Sequence, residues 1–377
     1  MTAQQSRPTM RETTDMADHY EVAIVGGGQS GLVAGYYLQR ADVPYVILDA
    51  GPEAGWAWRQ RWDSLRLFTI AAYCELPGLK FPGHWNRFPD KDEVADYMLE
   101  YYRTFRQPVR WNTTVINLQA SGDGYRLKTT TGDVTARQVI IATGAYRNPF
   151  VPPMANELAP EVYQVHTGDY RNPSTVHGRR VVVVGAANSG AQIAVDLART
   201  HEVLLSQGSP LPHGPCKFLG IGLHWWGDKL GIIAKPLLGE RDRLHKKTIL
   251  VGKSLKKIVR KNGIELRART VGCDGNTVKF EDGTSVTADA VIWATGFRYD
   301  FATWVELPIF GEGGVPRQLR GVVEQAPGLY FLGMQCQYSY GSGLIWWVKD
   351  DAEYLVQQIQ AYGTEAPAAR AADHAHS

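Results

Sequence analysis

The chain has 377 residues, room for two ordinary domains, and its 44% hydrophobic and 21% charged composition is that of a globular protein. A net charge of +2 gives no reason to expect nucleic acid as a partner, and no apolar run reaches the roughly 18 residues of a membrane span. Four scattered cysteines, Cys74, Cys216, Cys273 and Cys336, form no CxxC pair, so neither a zinc ribbon nor a dithiol redox centre is written here and no metal is expected. Free thiols and a polar N-terminus without an apolar signal core point to the cytoplasm.

In chain order, residues 1–18 read as a disordered arm. Val22 to Val25 then form a buried strand that breaks into Gly26, Gly27, Gly28, Gln29, Ser30 and Gly31. A helix follows to Arg40, and a second apolar run, Tyr45 to Leu48, ends on Asp49, 18 residues past Gly31. This is the order of a dinucleotide site. Gly26 makes the tight turn, Gly28 lets a pyrophosphate reach the backbone, and Gly31 lets the helix pack on the strand. The helix N-terminus attracts the phosphates, and the acid takes the ribose hydroxyls. The long Gly-, Pro- and Trp-rich stretch from Gly51 to Pro89 lacks periodicity and so reads as functional. Helical spacing covers Lys91 to Arg106. Strands are expected over Val109–Asn117, Tyr125–Thr131 and Val134–Ile141, the last running into Ala142, Thr143 and Gly144.

The same grammar then repeats. Arg180 to Val184 breaks into Gly185, Ala186, Ala187, Asn188, Ser189 and Gly190, with a helix to about Arg199 and a strand over Val203–Ser206. Asn276–Glu281 and Ser285–Trp293 flank an Asp-Gly turn, and the second run ends in Ala294, Thr295 and Gly296. Three matched features in the same order imply two nucleotide-binding domains. Two nucleotides suggest an electron path from a visiting nicotinamide to a retained FAD. The first site, with its acid, suits FAD. The second has Ala187 for the middle glycine and no acid after its next strand.

GGGQSG at Gly26–Gly31, GWAWRQRWDSLRLFT at Gly55–Thr69, HTGDY at His166–Tyr170, GAANSG at Gly185–Gly190, ATGF at Ala294–Phe297 and LYFLG at Leu329–Gly333 resemble the class B flavoprotein monooxygenases. The likeness covers the short bacterial flavin-containing monooxygenases and the plant enzymes that form auxin from indole pyruvate, and runs from about Tyr20 to Gln360. It implies an α/β fold of two doubly wound Rossmann-type domains. The FAD domain is split over 19–150 and 291–362, the NAD(P) domain is inserted at 151–290, and a disordered tail fills 363–377. It also implies that NAD(P)H reduces FAD and that the reduced flavin forms a C4a-(hydro)peroxide with O2. One oxygen atom then passes to a small lipophilic molecule; a homodimer is left open.

Carried over residue by residue, the resemblance puts Trp58, Arg59 and Leu67 beside the flavin, with Arg66 as a fixed cation near the ring. Thr69 falls where eukaryotic relatives have an active-site asparagine. Val115 would hold adenine through its backbone, and Ala142, Thr143 and Gly144 would close the first site. His166 is a hinge or supporting residue. Gly185, Asn188, Ser189 and Gly190 form the nicotinamide-cofactor turn, and Thr295 and Gly333 lie on matched strand ends. At Ser206–Ser209 the arginine that family members use for the 2′-phosphate of NADPH is missing, which implies use of both NADH and NADPH, with Lys217 as a substitute cation. Ser342 reads as the N-cap of a helix facing the flavin. Trp225, Trp226, Tyr338, Tyr340, Trp346 and Trp347 either line a substrate pocket or pack the core. Arg241–Lys261 reads as a solvated basic helix face. The rival readings are a flavin disulfide reductase, which the lack of a CxxC pair opposes, an NAD(P)H oxidase or diaphorase, and a nucleotide-sensing regulatory flavoprotein.

Overall fold

A computed structural model describes residues 18–209, 213–214, 216–237, 250–251 and 255–374. β1 (Asp18–Val25) runs into the first Gly-rich turn and α1 (Gln29–Arg40). β2 (Tyr45–Leu48) then lies parallel to β1, with Val22 opposite Tyr45 and Val25 opposite Leu48. Val22–Val25 and Tyr45–Leu48 are all buried, as strands covered on both faces require. α2 (Lys91–Phe105) begins with a full capping box, Asp90 accepting from the Glu93 N–H and Glu93 from the Asp90 N–H. The run expected as one strand over Val109–Asn117 is two, β3 (Val109–Arg110) and β4 (Val115–Ser121), because the chain turns at Asn112 with φ of 53°. β5 (Gly124–Thr129) and β6 (Val134–Ile141) complete a meander. β6 serves two partners, its first residues pairing antiparallel with β5 and its whole length pairing parallel with β1.

The second domain repeats this plan. β7 (Tyr163–His166), β8 (Arg180–Val184), α3 (Asn188–Leu197), β9 (Glu202–Ser206), α4 (Leu255–Asn262) and β10 (Glu265–Arg267) precede a second antiparallel meander of β11 (Thr270–Asp274), β12 (Thr277–Phe280) and β13 (Ser285–Thr287). The run Ser285–Trp293 breaks after Thr287, where the Asp289 carboxylate takes the N–H groups of Arg179 and Arg180. Its continuation, β14 (Ala290–Trp293), enters a parallel sheet of order β10-β9-β8-β14-β7. The second domain therefore extends to Trp293, which corrects a boundary at 290. The chain returns to the first sheet as β15 (Val305–Glu306) on β4 and β16 (Leu329–Phe331) on the last residues of β6. It ends in α5 (Val348–His374), whose Val348, Ala352, Leu355 and Ile359 are buried. The backbone is helical to His374 where a structureless tail from 363 was expected; the arm over 1–17 lies outside the described residues.

Residues 216–237 belong by sequence to the second domain but pack on the first. Asp228 accepts from Tyr73 Oη at 2.9 Å and Trp347 Nε1 at 3.0 Å, and the Leu237 N–H donates to the Tyr338 carbonyl at 2.8 Å. Trp347 stacks on Tyr73 with ring centres 4.8 Å apart. Trp225 and Trp226 pack edge to face on each other, and Trp226 Nε1 donates to the Phe218 carbonyl, so this pair holds the insertion's own shape. Lys217 bonds the Asn86 carbonyl, far from the role of substitute cation. Of the basic stretch, α4 is described, and 241–249 and 252–254 lie outside the described residues.

His224 of this insertion is buried against Phe68 and Trp347 with no charged neighbour among the described residues, and burial pushes its pKa from 6.5 down to about 4. The unfolded chain therefore binds a proton below pH 6.5 that the folded chain refuses until about pH 4. Stability present above the upper value is lost as pH falls through this window, by about 2 kcal/mol at pH 5. Urea midpoints at pH 7.5 and 5.0 check this: His224→Phe should remove that part of the acid sensitivity, and an unchanged pH slope would deny the burial effect.

Candidate functional site

Both Gly-rich turns are built by the same bonds. Gly26 N–H donates to the Leu48 carbonyl at 2.8 Å and Gly185 N–H to the Ser206 carbonyl at 3.0 Å. The N–H groups of Ala142 and Ala294 donate to the carbonyls of Val25 and Val184, each at 2.8 Å, so both Ala-Thr-Gly ends stand against the turns. Gly26 and Gly185 have φ of 107° and 109°, a backbone that residues with a Cβ avoid. A Cβ on Gly31 would overlap the Gly26 carbonyl oxygen, and one on Gly190 the Gly185 oxygen. Those glycines serve close packing of helix on strand.

Gly28 is different. Its φ of −76° suits any residue, and a Cβ there would meet nothing within 4 Å. It caps α1 without any side-chain hydrogen bond, as Ala187 does for α3, whereas α2 is fully capped. Both helices thus begin without a side-chain cap, and a helix start with its first-turn N–H groups and partial positive charge suits the diphosphate of a dinucleotide. Asp49 is aligned by the N–H groups of Gly27 at 2.5 Å and Gly51 at 2.7 Å, and each oxygen keeps acceptor capacity for a ribose hydroxyl. Gly333 packs against Ser30, and Gln29 Nε2 reaches the Gly343 carbonyl at 3.4 Å. The turn Gly341–Gly343 therefore lies across the start of α1. Ser342 is not a helix cap, since α5 begins at Val348. Its buried hydroxyl accepts from the N–H groups of Tyr338 and Ser339.

At the second site Ser206 is fully buried and internal, donating to the Ala268 carbonyl and accepting from the Thr270 N–H, both at 2.9 Å. Gln207 N–H bonds the Arg267 carbonyl. These bonds bring Arg269 over the end of β9. Its guanidinium carbon lies 3.6 Å from where a Cβ on Gly208 would stand, the side chain is exposed, and it makes no ion pair among the described residues. An arginine from the link between β10 and β11 thus stands beside Ser206–Ser209, which lack one.

The two crossings between domains are pinned together. Phe297 and Arg298 pair antiparallel with Pro149 and Asn148, the Thr295 hydroxyl donates to the Phe150 carbonyl, and Phe150 N–H to the Gly296 carbonyl. His166 Nδ1 accepts the Gly168 N–H at 3.0 Å, so Nε2 carries the proton and donates to the Gly296 carbonyl at 2.9 Å. Burial holds its pKa below the ordinary value, which keeps the imidazole neutral. It fixes the crossing rather than offering a proton.

The segment before it divides its arginines. Arg59 is paired with Asp96 at 2.6 Å and Glu53 at 3.4 Å, and the exposed Arg66 with Asp90 at 3.1 Å. Neither guanidinium is free. Gln192 of α3 instead grips the backbone of Arg66, accepting its N–H at 3.2 Å and donating to its carbonyl at 3.0 Å. Trp58 is half-buried on the core, Leu67 and Val115 are buried, and Thr69 is buried with its hydroxyl on Cys74 Sγ at 3.3 Å. Arg61 carries the unpaired cation of this stretch. Sequence reasoning passed over Arg61, Gln192 and Arg269. The first is one arginine among several close together, Gln192 reaches the site by the packing of α3 on the Arg66 segment, and Arg269 by the pairing of β10 beside β9. All four thiols are free, and burial pushes those of Cys74 and Cys273 up to about 12 and about 11. Among the described residues no group of His, Cys, Asp or Glu could hold a metal, and no helix is long and apolar enough to cross a membrane.

Comparison with known proteins agrees with this architecture. A family model described as pyridine nucleotide-disulphide oxidoreductase matches residues 23–210. A CzcO-like oxidoreductase of Geobacillus kaustophilus is 39% identical over 342 residues, 90% of this chain and 98% of its own. A probable indole-3-pyruvate monooxygenase of Arabidopsis thaliana is 28% identical, covering 81% of this chain and 83% of its own. The structure of a flavin-containing monooxygenase from Stenotrophomonas maltophilia aligns with a TM-score of 0.77 at 27% identity, over 92% of this chain and 99% of that one. The chain belongs to the class B flavin monooxygenases, beside the CzcO-like oxidoreductases, and is a flavin-dependent enzyme whose cofactors are FAD and NAD(P)H.

Proposed function

We propose that this enzyme couples oxidation of NADPH to insertion of one atom of O2 into a small lipophilic substrate, the second atom leaving as water. NADPH, a proton, O2 and substrate go to NADP+, water and oxygenated product. FAD, when bound, accepts the hydride and activates O2. The observation that carries this reading is the pair of uncapped helix N-termini, behind Gly28 and Ala187, joined by pinned crossings. In this reading Gly26, Gly28, Gln29, Ser30, Gly31 and Asp49 hold the FAD diphosphate and ribose, with Val115 at the adenine. Gly185, Asn188, Ser189, Gly190 and Gln207 hold the nicotinamide cofactor. Arg269 supports NADPH over NADH. Leu67, Trp58, Ala142–Gly144, Thr295 and the turn at Ser342 shape the flavin surroundings and exclude water. Sulfides, amines, ketones and keto acids are the substrate classes, the last because relatives are named for indole-3-pyruvate.

A second reading, an NAD(P)H oxidase, is favoured by one observation. The Thr69 hydroxyl is engaged by Cys74 instead of being presented to a ligand. Anaerobic mixing with NADPH tests the step both readings share. The flavin absorbance should bleach fully and return on adding O2; a flavin that stays yellow under excess NADPH would refute both.

A further inference from the structure

Arg61 stands between the two crossings. Its guanidinium carbon lies 5.6 Å from the ring centre of Tyr146 and 5.7 Å from that of Phe297. Tyr146 follows the first Ala-Thr-Gly by two residues and Phe297 follows the second directly. The loop carrying Arg61 is tied to the second domain on both sides. Arg171 donates to the Gln60 side chain at 3.1 Å, and the Asp63 N–H donates to the Arg171 carbonyl at 2.8 Å.

The arginines flanking Arg61 on its own loop, and the one that ties the loop to the second domain, are satisfied. Arg59 and Arg66 have carboxylates, and Arg171 has the carbonyls of Gly168 and Tyr170 besides Gln60. Arg61 gives only its Nε–H, to the Ala57 carbonyl at 3.2 Å. Its two terminal nitrogens have no partner among the described residues. Asp169, the acid whose field reaches Arg61, forms no ion pair with it, and burial lowers the pKa of the Arg61 guanidinium from its ordinary value. A partly buried guanidinium without a counter-charge carries a desolvation cost that the fold does not offset with an ion pair. The space beside it is open to a ligand: Tyr146 has 65% of its surface bare, and a Cβ on Gly144 or Gly296 would meet nothing within 4 Å.

We propose that Arg61 is the anion receptor of the interdomain seam, binding an oxyanion of a ligand that touches both domains. Two sources share that chemistry: the diphosphate of the nicotinamide dinucleotide and a carboxylate on the substrate. The planar fork can take either with two parallel N–H bonds, while Tyr146 and Phe297 hold it flat. The proposal rests on the seam being where dinucleotide and substrate meet, but its test needs no turnover.

The FAD-loaded protein and its Arg61→Gln and Arg61→Lys variants, compared at equal flavin occupancy, are titrated calorimetrically with inorganic pyrophosphate, NADP+ and phenylacetate. Arg61→Gln should weaken binding at least tenfold, with Arg61→Lys between it and the parent because it keeps the charge and loses the fork. Weakening of pyrophosphate and NADP+ alone assigns the dinucleotide as source. Weakening of phenylacetate alone assigns a substrate carboxylate. All three within twofold of the parent for Arg61→Gln would overturn the proposal, whether or not the enzyme is an oxygenase.

Discussion

Gly28→Val should purify folded and colourless. The backbone at Gly28 is one that valine adopts without strain, and a Cβ there finds nothing within 4 Å to clash with. The space they enter is the one above the bare N–H groups of α1, where a diphosphate must come within hydrogen-bond distance of the backbone. The substitution therefore separates binding from folding. Circular dichroism and the melting temperature should match those of the flavin-stripped parent, while bound FAD falls below about a tenth of the parent's, a loss of over about 1.4 kcal/mol. Gly31→Val provides the contrast: its Cβ would overlap the Gly26 carbonyl, so it should fail to fold at all. A Gly28→Val protein that carries full flavin would mean that FAD is held elsewhere.

Removing Arg269 should cost NADPH and leave NADH alone. The adenosine ribose of a dinucleotide sits at the end of the strand after the Gly-turn helix, here the end of β9, where Arg269 overhangs Gly208. A charge-assisted pair between guanidinium and phosphate contributes about 1.5–3 kcal/mol, so kcat/KM for NADPH should fall about 10- to 100-fold in Arg269→Gln. For NADH, without the 2′-phosphate, kcat/KM should change less than about threefold. The parent should accordingly prefer NADPH, where the bare sequence Ser206–Ser209 implied indifference. Steady-state kinetics with both coenzymes decide the matter; equal losses for both would remove Arg269 from the 2′-phosphate.

What could be read in the sequence was what is local. The glycines, the apolar runs and Asp49 give each strand-turn-helix unit because the backbone conformations and close contacts involved lie within about 30 residues of chain. The repeat of the Ala-Thr-Gly ends was legible for the same reason. The run Ser285–Trp293 reads as one strand since every residue suits one, and only the two N–H groups that Asp289 collects from Arg179 and Arg180 break it. The site's charges were misassigned through tertiary partners. Arg66 looks as free as Arg61 in the sequence, yet Asp90 takes it. Arg269 is 61 residues beyond Gly208 and arrives there because Ser206 bonds Ala268 and Thr270 across the sheet. Ser342 precedes apolar residues like a cap, but the chain makes a buried turn first, and the hydroxyl is consumed in it.

Isotope labelling tests the oxygenase account most directly. Turnover with NADPH under 18O2, over a panel of thioethers, tertiary amines, ketones and aryl keto acids, should give at least one product with a single 18O atom. That product should account for most of the NADPH consumed, with the other 18O in water. If every compound leaves unlabelled, and H2O2 forms one for one with NADPH, the protein is an oxidase and the proposed oxygen transfer is wrong.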